Sequence, residues 1–201
     1  MPVLTAIEDY VKVIYAHTEW QPEPISTGAL AARLGLAASS VTEMVKKLVA
    51  QGLVVHEPYG AVELTKDGTA LALRMVRRHR LIETWLVNHV GYGWDEVHDE
   101  AEVLEHAISD RLLDALDAQL GYPSRDPHGD PIPGADGTVR RPAAVLLADV
   151  EGGTVARVSD RDSLLLRHLA AEGIVVDSIV TPEQRARLAP EALASIWIVT
   201  P

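Results

Sequence analysis

Apolar side chains in the first ninety residues recur three and four positions apart, the period of helices with one buried face. Ile7, Val11 and Ile14 form one such stripe. Thr5-Ala6-Ile7-Glu8 has capping-box spacing and places the start of this helix at Thr5, with Pro22 and Pro24 ending the element. Ser26 is the expected N-cap of a short helix through Leu34, with Leu30 and Leu34 turned inward and Gly35 at C′. Ser40-Val41-Thr42-Glu43 is a second capping box, opening a helix with a stripe of Val41, Met44, Val45 and Leu48 that Gly52 stops. The period then shortens. Leu53-Val54-Val55 and Ala61-Val62-Glu63-Leu64 read as strands around a turn-rich tip, Glu57-Pro58-Tyr59-Gly60. Helix, short helix, glycine turn, helix and hairpin is the order of a winged helix-turn-helix.

A long helix is expected from about Thr65 to His89, broken by Gly91-Tyr92-Gly93, and a further one from Trp94 or Asp95 to about Leu120. Gly121 to Gly137, rich in Pro, Gly and Asp, reads as ordered packing followed by a linker. Beyond Pro142 the pattern turns to β: Ala144–Leu147, Thr154–Val158, Gly173–Val176 and Ile196–Val199 read as strands and Ser163–Ala171 as a helix. The expected class is mainly α with a small β part. The pattern divides the chain into an expected winged helix-turn-helix domain over 1–72, a helical domain over 73–140 and a short β domain over 141–201.

The most informative stretch is His98-Asp99-Glu100-Ala101-Glu102-Val103-Leu104-Glu105-His106. On a helix His98, Glu102, Glu105 and His106 share a side, beside an apolar stripe of Val97, Ala101, Leu104 and Ile108. Two imidazoles and two carboxylates suit a hard-to-borderline divalent metal, although such a stretch alone also reads as a solvated acidic face. His79 and Glu83, at i and i+4 on the long helix, have metal-ligand spacing, or that of a surface ion pair. Asp9 sits one turn into the first helix, where a carboxylate also simply suits the helix dipole.

Composition narrows the picture. Of 201 residues 47% are hydrophobic, enough for a real core. The absence of Cys excludes disulfides and thiolate metal sites, and a reducing cytoplasm is the simplest compartment. Met1-Pro2-Val3-Leu4 lacks the features of a signal peptide, and no window reaches the roughly 18 apolar residues of a membrane span. The net charge of −11 argues against nucleic acid until its distribution is seen. Residues 1–90 hold nine Lys/Arg and nine Asp/Glu, while residues 91–201 hold nine and twenty. The first part is free to meet phosphates and the second to hold cations. In a helix-turn-helix the second helix enters the major groove by its N-terminal residues, here Ser39, Ser40, Thr42 and Glu43. Lys46 and Lys47, one turn on, suit phosphates, as do Thr27 and Lys66.

Taken together, Glu8-Asp9-Tyr10, Ser39-Ser40-Val41-Thr42, Arg78-His79-Arg80-Leu81, Val97–Glu102, Glu105-His106 and Asp126-Pro127-His128-Gly129-Asp130-Pro131-Ile132-Pro133 resemble the diphtheria-toxin-repressor, or iron-dependent-repressor, family over essentially the whole chain. The resemblance implies a homodimeric, metal-activated repressor that binds a palindromic DNA operator and controls metal uptake. Its metal positions carry over to Asp9, His79, Glu83, His98, Glu102, Glu105 and His106. The iron-responsive branch places Met and Cys where this chain has Asp9 and Glu102. Carboxylates there point to the manganese-responsive branch, with Mn²⁺ as cofactor and Fe²⁺, Co²⁺ or Zn²⁺ as substitutes. Small manganese regulators carry a Glu where this chain has Lys12. The expectation is therefore one site from Asp9, Glu102, Glu105 and His106, and another from His79, Glu83 and His98. Asp160 resembles the position from which the SH3-like domain supplies a ligand to the second site. Thr181 to Leu193 replaces expected strand, which leaves that domain shortened. The alternatives are an iron-responsive regulator of the same family and a helical metalloenzyme. Against the enzyme, Glu102-Val103-Leu104-Glu105-His106 has no second copy and no set of catalytic roles is filled.

Overall fold

The computed structural model describes residues 3–57 and 60–200. Pro58 and Tyr59 of the expected hairpin tip, and Met1 and Pro2 of the N-terminal segment, lie outside the described residues. The chain forms two compact units, residues 1–77 with 135–137, and residues 78–134 with 138–201.

In the first unit α1 (Val3–Thr18), α2 (Thr27–Leu34) and α3 (Ala38–Ala50) precede an antiparallel pair, β1 (Val54–His56) and β2 (Val62–Leu64). Ser26 caps α2 as expected, its Oγ accepting from the Ala29 N–H at 3.1 Å, and Gly35 closes it at φ 64°. Two starts differ from expectation. α1 begins at Val3, so Thr5 lies inside it. α3 begins at Ala38, not after Ser40, and Thr42 Oγ1 donates back to the Ala38 carbonyl at 2.9 Å instead of serving a cap. The hydroxyl-rich stretch was thus in-helix back-bonding rather than a capping box. Ile7, Val11, Ile14, Leu30, Val41, Val45, Leu48, Val54 and Val62 close one core. A bond from the Val62 N–H to the Ile25 carbonyl, 2.8 Å, ties the hairpin to the chain entering α2.

Helix α4 (Lys66–Trp85) enters from the hairpin, with Thr65 Oγ1 accepting from the Gly68 N–H at its start. It widens into a π-turn over Leu86–Val90 that Gly91, at φ 89°, ends. The single helix expected to Leu120 is instead two, α5 (Val97–Leu104) and α6 (Asp110–Gln119). Ser109 causes the break: its Oγ caps α6 by accepting from the Leu112 N–H.

The second unit also holds an antiparallel sheet ordered β3 (Val145–Leu146), β6 (Ile196–Val199), β4 (Gly153–Val158), β5 (Ile179–Val180). Helix α7 (Ser163–Ala171) follows β4, capped by Asp162. Gly173–Val176 is not a strand: the Ile174 N–H returns to Leu169 and Asp177 turns the chain at φ 68°, so pairing starts at Ile179. Two short helices, α8 (Pro182–Arg185) and α9 (Pro190–Leu193), fill the segment before β6. Mainly α with a small β part is the observed class.

The loop 121–134 is packed rather than loose. Its His128 carbonyl accepts from the Val158 N–H at 2.9 Å, docking it on β4. Asp126 Oδ1 accepts from the main-chain N–H of His128 and of Asp130, 2.9 Å each, and fixes the turn. Arg80, on α4, donates to the Pro131 carbonyl at 2.7 Å and faces Asp126 and Asp130 at 3.6 and 3.5 Å. Arg157, on β4, donates to Asp130 at 2.6 Å and lies 4.2 Å over the Trp197 ring. Helix, loop and strand are thereby locked by buried, paired charges.

Candidate metal centre

Four side chains from three elements of the second unit meet at one point. α4 brings His79 and Glu83, one turn apart; α5 brings His98; the residue two past β4 is Asp160. His79 Nε2 lies 2.9 Å from Glu83 Oε1 and 3.1 Å from His98 Nδ1. His98 Nδ1 lies 3.4 Å from Glu83 Oε1 and 3.2 Å from Asp160 Oδ2. All four donor atoms fall within 4.8 Å of one another. Donors about 2.1 Å from a shared tetrahedral ion stand about 3.4 Å apart, so these separations fit an ion's first shell. The docked loop holds β4 two residues before Asp160, through the His128 carbonyl and the Val158 N–H.

Three members of the other expected set, Glu102, Glu105 and His106, adjoin this one. Glu102 approaches His98 Nε2 at 3.5 Å. Glu105, fully buried, accepts from His79 Nδ1 at 2.6 Å, and His106 lies 3.5 Å from its other oxygen. A carboxylate only accepts, so Glu105 fixes the His79 proton on Nδ1 and turns Nε2 toward Glu83 and His98. Imidazole ligands are commonly oriented in this way by a carboxylate behind them. Asp9 belongs to the first unit, on α1.

The electrostatics agree with a site built for positive charge. Burial opposes charge on His98, but hydrogen bonds to Asp160 and Glu83 outweigh it and push its pKa up to about 11. Burial works to raise Glu83, yet the His79 charge and the hydrogen bonds of His79 and His98 hold it well below the carboxylate range. Asp160 is held low in the same way: burial raises it, and the His98 hydrogen bond more than reverses this. A proton on His98 Nδ1 therefore faces three other donor atoms, the place a divalent ion would take. Oxygen and imidazole donors without sulfur suit Mn²⁺, Fe²⁺, Co²⁺ or Zn²⁺. The residues fit the metal their pattern implied.

A second group escaped the reading of the sequence. Glu83, Asp126 and His128, all buried, also place one donor atom each within 4.8 Å of one another. Burial first, then Asp130 and Glu83, push the Asp126 pKa up to about 8. Asp126-Pro127-His128-Gly129-Asp130 lies in a loop, where no helical or strand period marks ligand positions. The signal was two acids flanking a His between rigid Pro and Gly.

In the first unit Ser39, Ser40, Thr42, Glu43, Lys46 and Lys47 all lie exposed on α3, opposite buried Val41, Val45 and Leu48. Glu43 and Lys46 pair at 2.7 Å. Thr27 begins α2, half-buried, and Lys66 begins α4, exposed. Among the described residues no helix is long and apolar enough to cross a membrane.

Known proteins converge on the same reading. Residues 3–62 match the iron dependent repressor N-terminal DNA binding domain, and 65–134 the iron dependent repressor metal binding and dimerisation domain. The iron-dependent repressor IdeR of Mycobacterium leprae is 31% identical over 191 residues, covering 88% of this chain and 83% of its own. A manganese-dependent transcriptional repressor solved in complex with manganese superposes with a TM-score of 0.90 at 49% identity, covering 97% of this chain and all of its own. The manganese regulator SloR superposes at 0.78 with 32% identity, covering 97% and 98%. The chain belongs to the iron-dependent repressor family and is a metal-dependent, DNA-binding transcriptional repressor, not an enzyme.

Proposed function

We propose that Mn²⁺ is the activating ion and that the regulated genes serve metal uptake. The observation that carries this is the convergence of His79, Glu83, His98 and Asp160, a donor set of nitrogen and oxygen alone. Carboxylates at Asp9 and Glu102, where iron-responsive relatives carry sulfur, favour a hard ion, and a 49% identical structure is a manganese complex. Glu102, Glu105 and His106 form a further site with Asp9, which enters the set on the strength of the Glu8-Asp9-Tyr10 pattern. Functionally, 1–72 reads DNA, 73–140 binds metal and dimerises, and 141–201 supplies Asp160. The protein works in the cytoplasm, as a homodimer on a palindromic operator.

In this reading α3 lies in the major groove, with Ser39, Ser40, Thr42 and Glu43 at base edges. Lys46, Lys47, Lys66 and Thr27 hold phosphates. His79 and His98 supply imidazole nitrogens, Glu83 and Asp160 carboxylates, and Glu105 keeps the His79 tautomer fixed. The bound ion neutralises charge that otherwise repels itself and DNA, and engaging Asp9 couples that event to α1. Metal then acts by favouring the DNA-competent state.

The test is binding of a palindromic DNA, selected from a random pool with Mn²⁺ present, as Mn²⁺, Fe²⁺, Co²⁺ and Zn²⁺ are titrated in turn. Graded activation by Mn²⁺ at concentrations where Fe²⁺ leaves the protein inactive supports the reading. Equal or better activation by Fe²⁺ makes it an iron regulator, and binding indifferent to metal overturns it.

A further inference from the structure

Helix α3 carries one acid, Glu43, on a face otherwise made of hydroxyls and lysines. Ser39, Ser40, Glu43, Lys46 and Lys47 follow one another at helical spacing and are all exposed, opposite buried Val41, Val45 and Leu48. Glu43 stands in the middle of that stripe, one turn past the hydroxyls and one turn before the lysines. Its side chain is 66% exposed, and Lys46 Nζ donates to its Oε1 at 2.7 Å. An exposed pair of this kind contributes little to stability, so the fold does not require it.

A carboxylate on a surface that meets phosphates is repelled unless a donor receives it there. It accepts hydrogen bonds and donates none. In the major groove guanine offers N7 and O6 and thymine offers O4, all acceptors, which oppose it. Adenine sets its N6–H donor beside the N7 acceptor, so what one carboxylate oxygen gains the other loses. Cytosine alone presents a donor, N4–H, with no acceptor next to it on the same edge. Lys46 completes the arrangement. Its hydrogen bond, and then its charge, lower the Glu43 pKa, which keeps the acid ionised. One of its three N–H groups is taken by Oε1; two are left for a phosphate, and Oε2 is left for a base.

We propose that Glu43 determines sequence specificity by accepting from the N4 amino group of a cytosine, so that each operator half-site carries a C·G pair facing the middle of α3. The inference deepens the reading of α3 as the helix in the major groove and rests on it. The same carboxylate rejects guanine and thymine, where acceptor would meet acceptor, and selects by repulsion as well as by attraction.

Selection of DNA from a random pool by the full chain with Mn²⁺, repeated with Glu43→Gln, provides the test. A fixed cytosine in each half-site is expected from the unaltered protein. Adenine is expected there from Glu43→Gln, because an amide pairs with both N6 and N7 of adenine. In fluorescence anisotropy, changing that C·G pair to T·A should weaken the unaltered protein about tenfold, a usual cost of one mismatched pair, and Glu43→Ala by less than about twofold. N4-methylcytosine at the same position still pairs with guanine but sets a methyl group where the free N–H pointed. It should weaken the unaltered protein by a similar factor and leave Glu43→Ala unmoved. Identical half-sites from the unaltered protein and Glu43→Gln, a base other than cytosine at the position that depends on Glu43, or tolerance of N4-methylcytosine overturns the contact. Operator binding that still responds to metal then leaves the proposed function standing. A pool that yields no metal-dependent sequence overturns both. Circular dichroism establishes that the variants fold; if they do not, N4-methylcytosine with the unaltered protein decides alone.

Discussion

His98 shows how one side chain couples pH, stability and metal. Its folded pKa is pushed up to about 11, far above that of a free imidazole. A raised pKa means that the proton stabilises the folded state fully below about pH 6.5, and that this contribution is lost as pH rises toward the folded value. In EDTA the protein is therefore expected to lose thermal stability progressively from about pH 6.5 toward about pH 11. Glu83 and Asp160, held low, contribute in the other direction: their stabilisation is present above the ordinary carboxylate range and is lost only in acid. An ion at the proposed site would displace the His98 proton, so Mn²⁺ affinity is expected to rise with pH over that window, by up to about tenfold per unit. Melting curves at a series of pH values, with EDTA and with Mn²⁺, should show these opposite slopes. His98→Gln should flatten both. A Mn²⁺-induced rise in Tm that is constant with pH would remove His98 from the ligand set. His79, Glu83 and His98 were legible because i, i+4 spacing survives any helix packing. Asp126 and His128 were not, because only the docked loop brings them to Glu83.

At the scale of elements, local signals succeeded where they were local in cause. Ser26 and Gly35 bracket α2 because a cap hydroxyl and a left-handed glycine act within one turn. They failed where several conformations meet the same pattern. Thr42 serves a carbonyl inside α3 as readily as a cap outside it. Ile174-Val175-Val176 reads as strand by composition, yet Ile174 is buried under α7 without pairing. Gly129 marks the opposite case, a requirement set by tertiary contact. Its φ is 90°, and an added Cβ would stand 2.0 Å from the Ala156 carbonyl oxygen. Gly129→Ala is expected to lower stability by about 3 kcal/mol or more, from overpacking and a left-handed non-glycine backbone combined. Because the same loop docks β4, weaker Mn²⁺ binding should accompany the loss. Urea unfolding in EDTA and Mn²⁺ titration measure the two effects; a change under 1 kcal/mol would mean that the loop shifts freely. On α3, Lys46→Ala and Lys47→Ala should each reduce the slope of log K against log salt by about 1 and weaken all DNA sequences alike, as phosphate contacts do. Ser40→Ala should instead change which sequences bind. A sequence-selective effect of Lys47→Ala would move that residue to the base edges.

Across the whole chain the charge is divided: balanced through residue 90, and twenty acids against nine bases beyond it. Two physical routes then connect metal to DNA binding. In one, the ion merely cancels acidic charge that repels phosphates. In the other, it selects a conformation in which α3 can reach its groove. Ionic strength separates them. Repulsion between exposed charges fades once the Debye length falls to about 8–10 Å, so on the first route the advantage of Mn²⁺ over EDTA shrinks as salt rises. Conformational selection is a ratio between two states of the same protein, and salt lowers the affinity of the competent state whether or not metal created it. In the candidate cluster Glu83 and Glu105 are almost inaccessible to solvent, and this favours the second route. Absolute affinity is expected to fall steeply between about 50 and 200 mM salt, as for any protein that grips phosphates, while the Mn²⁺-to-EDTA ratio stays within about threefold of its low-salt value. Fluorescence anisotropy on one labelled operator across that range measures both numbers. A ratio that collapses toward one at 200 mM would show that charge neutralisation, not conformation, carries the signal.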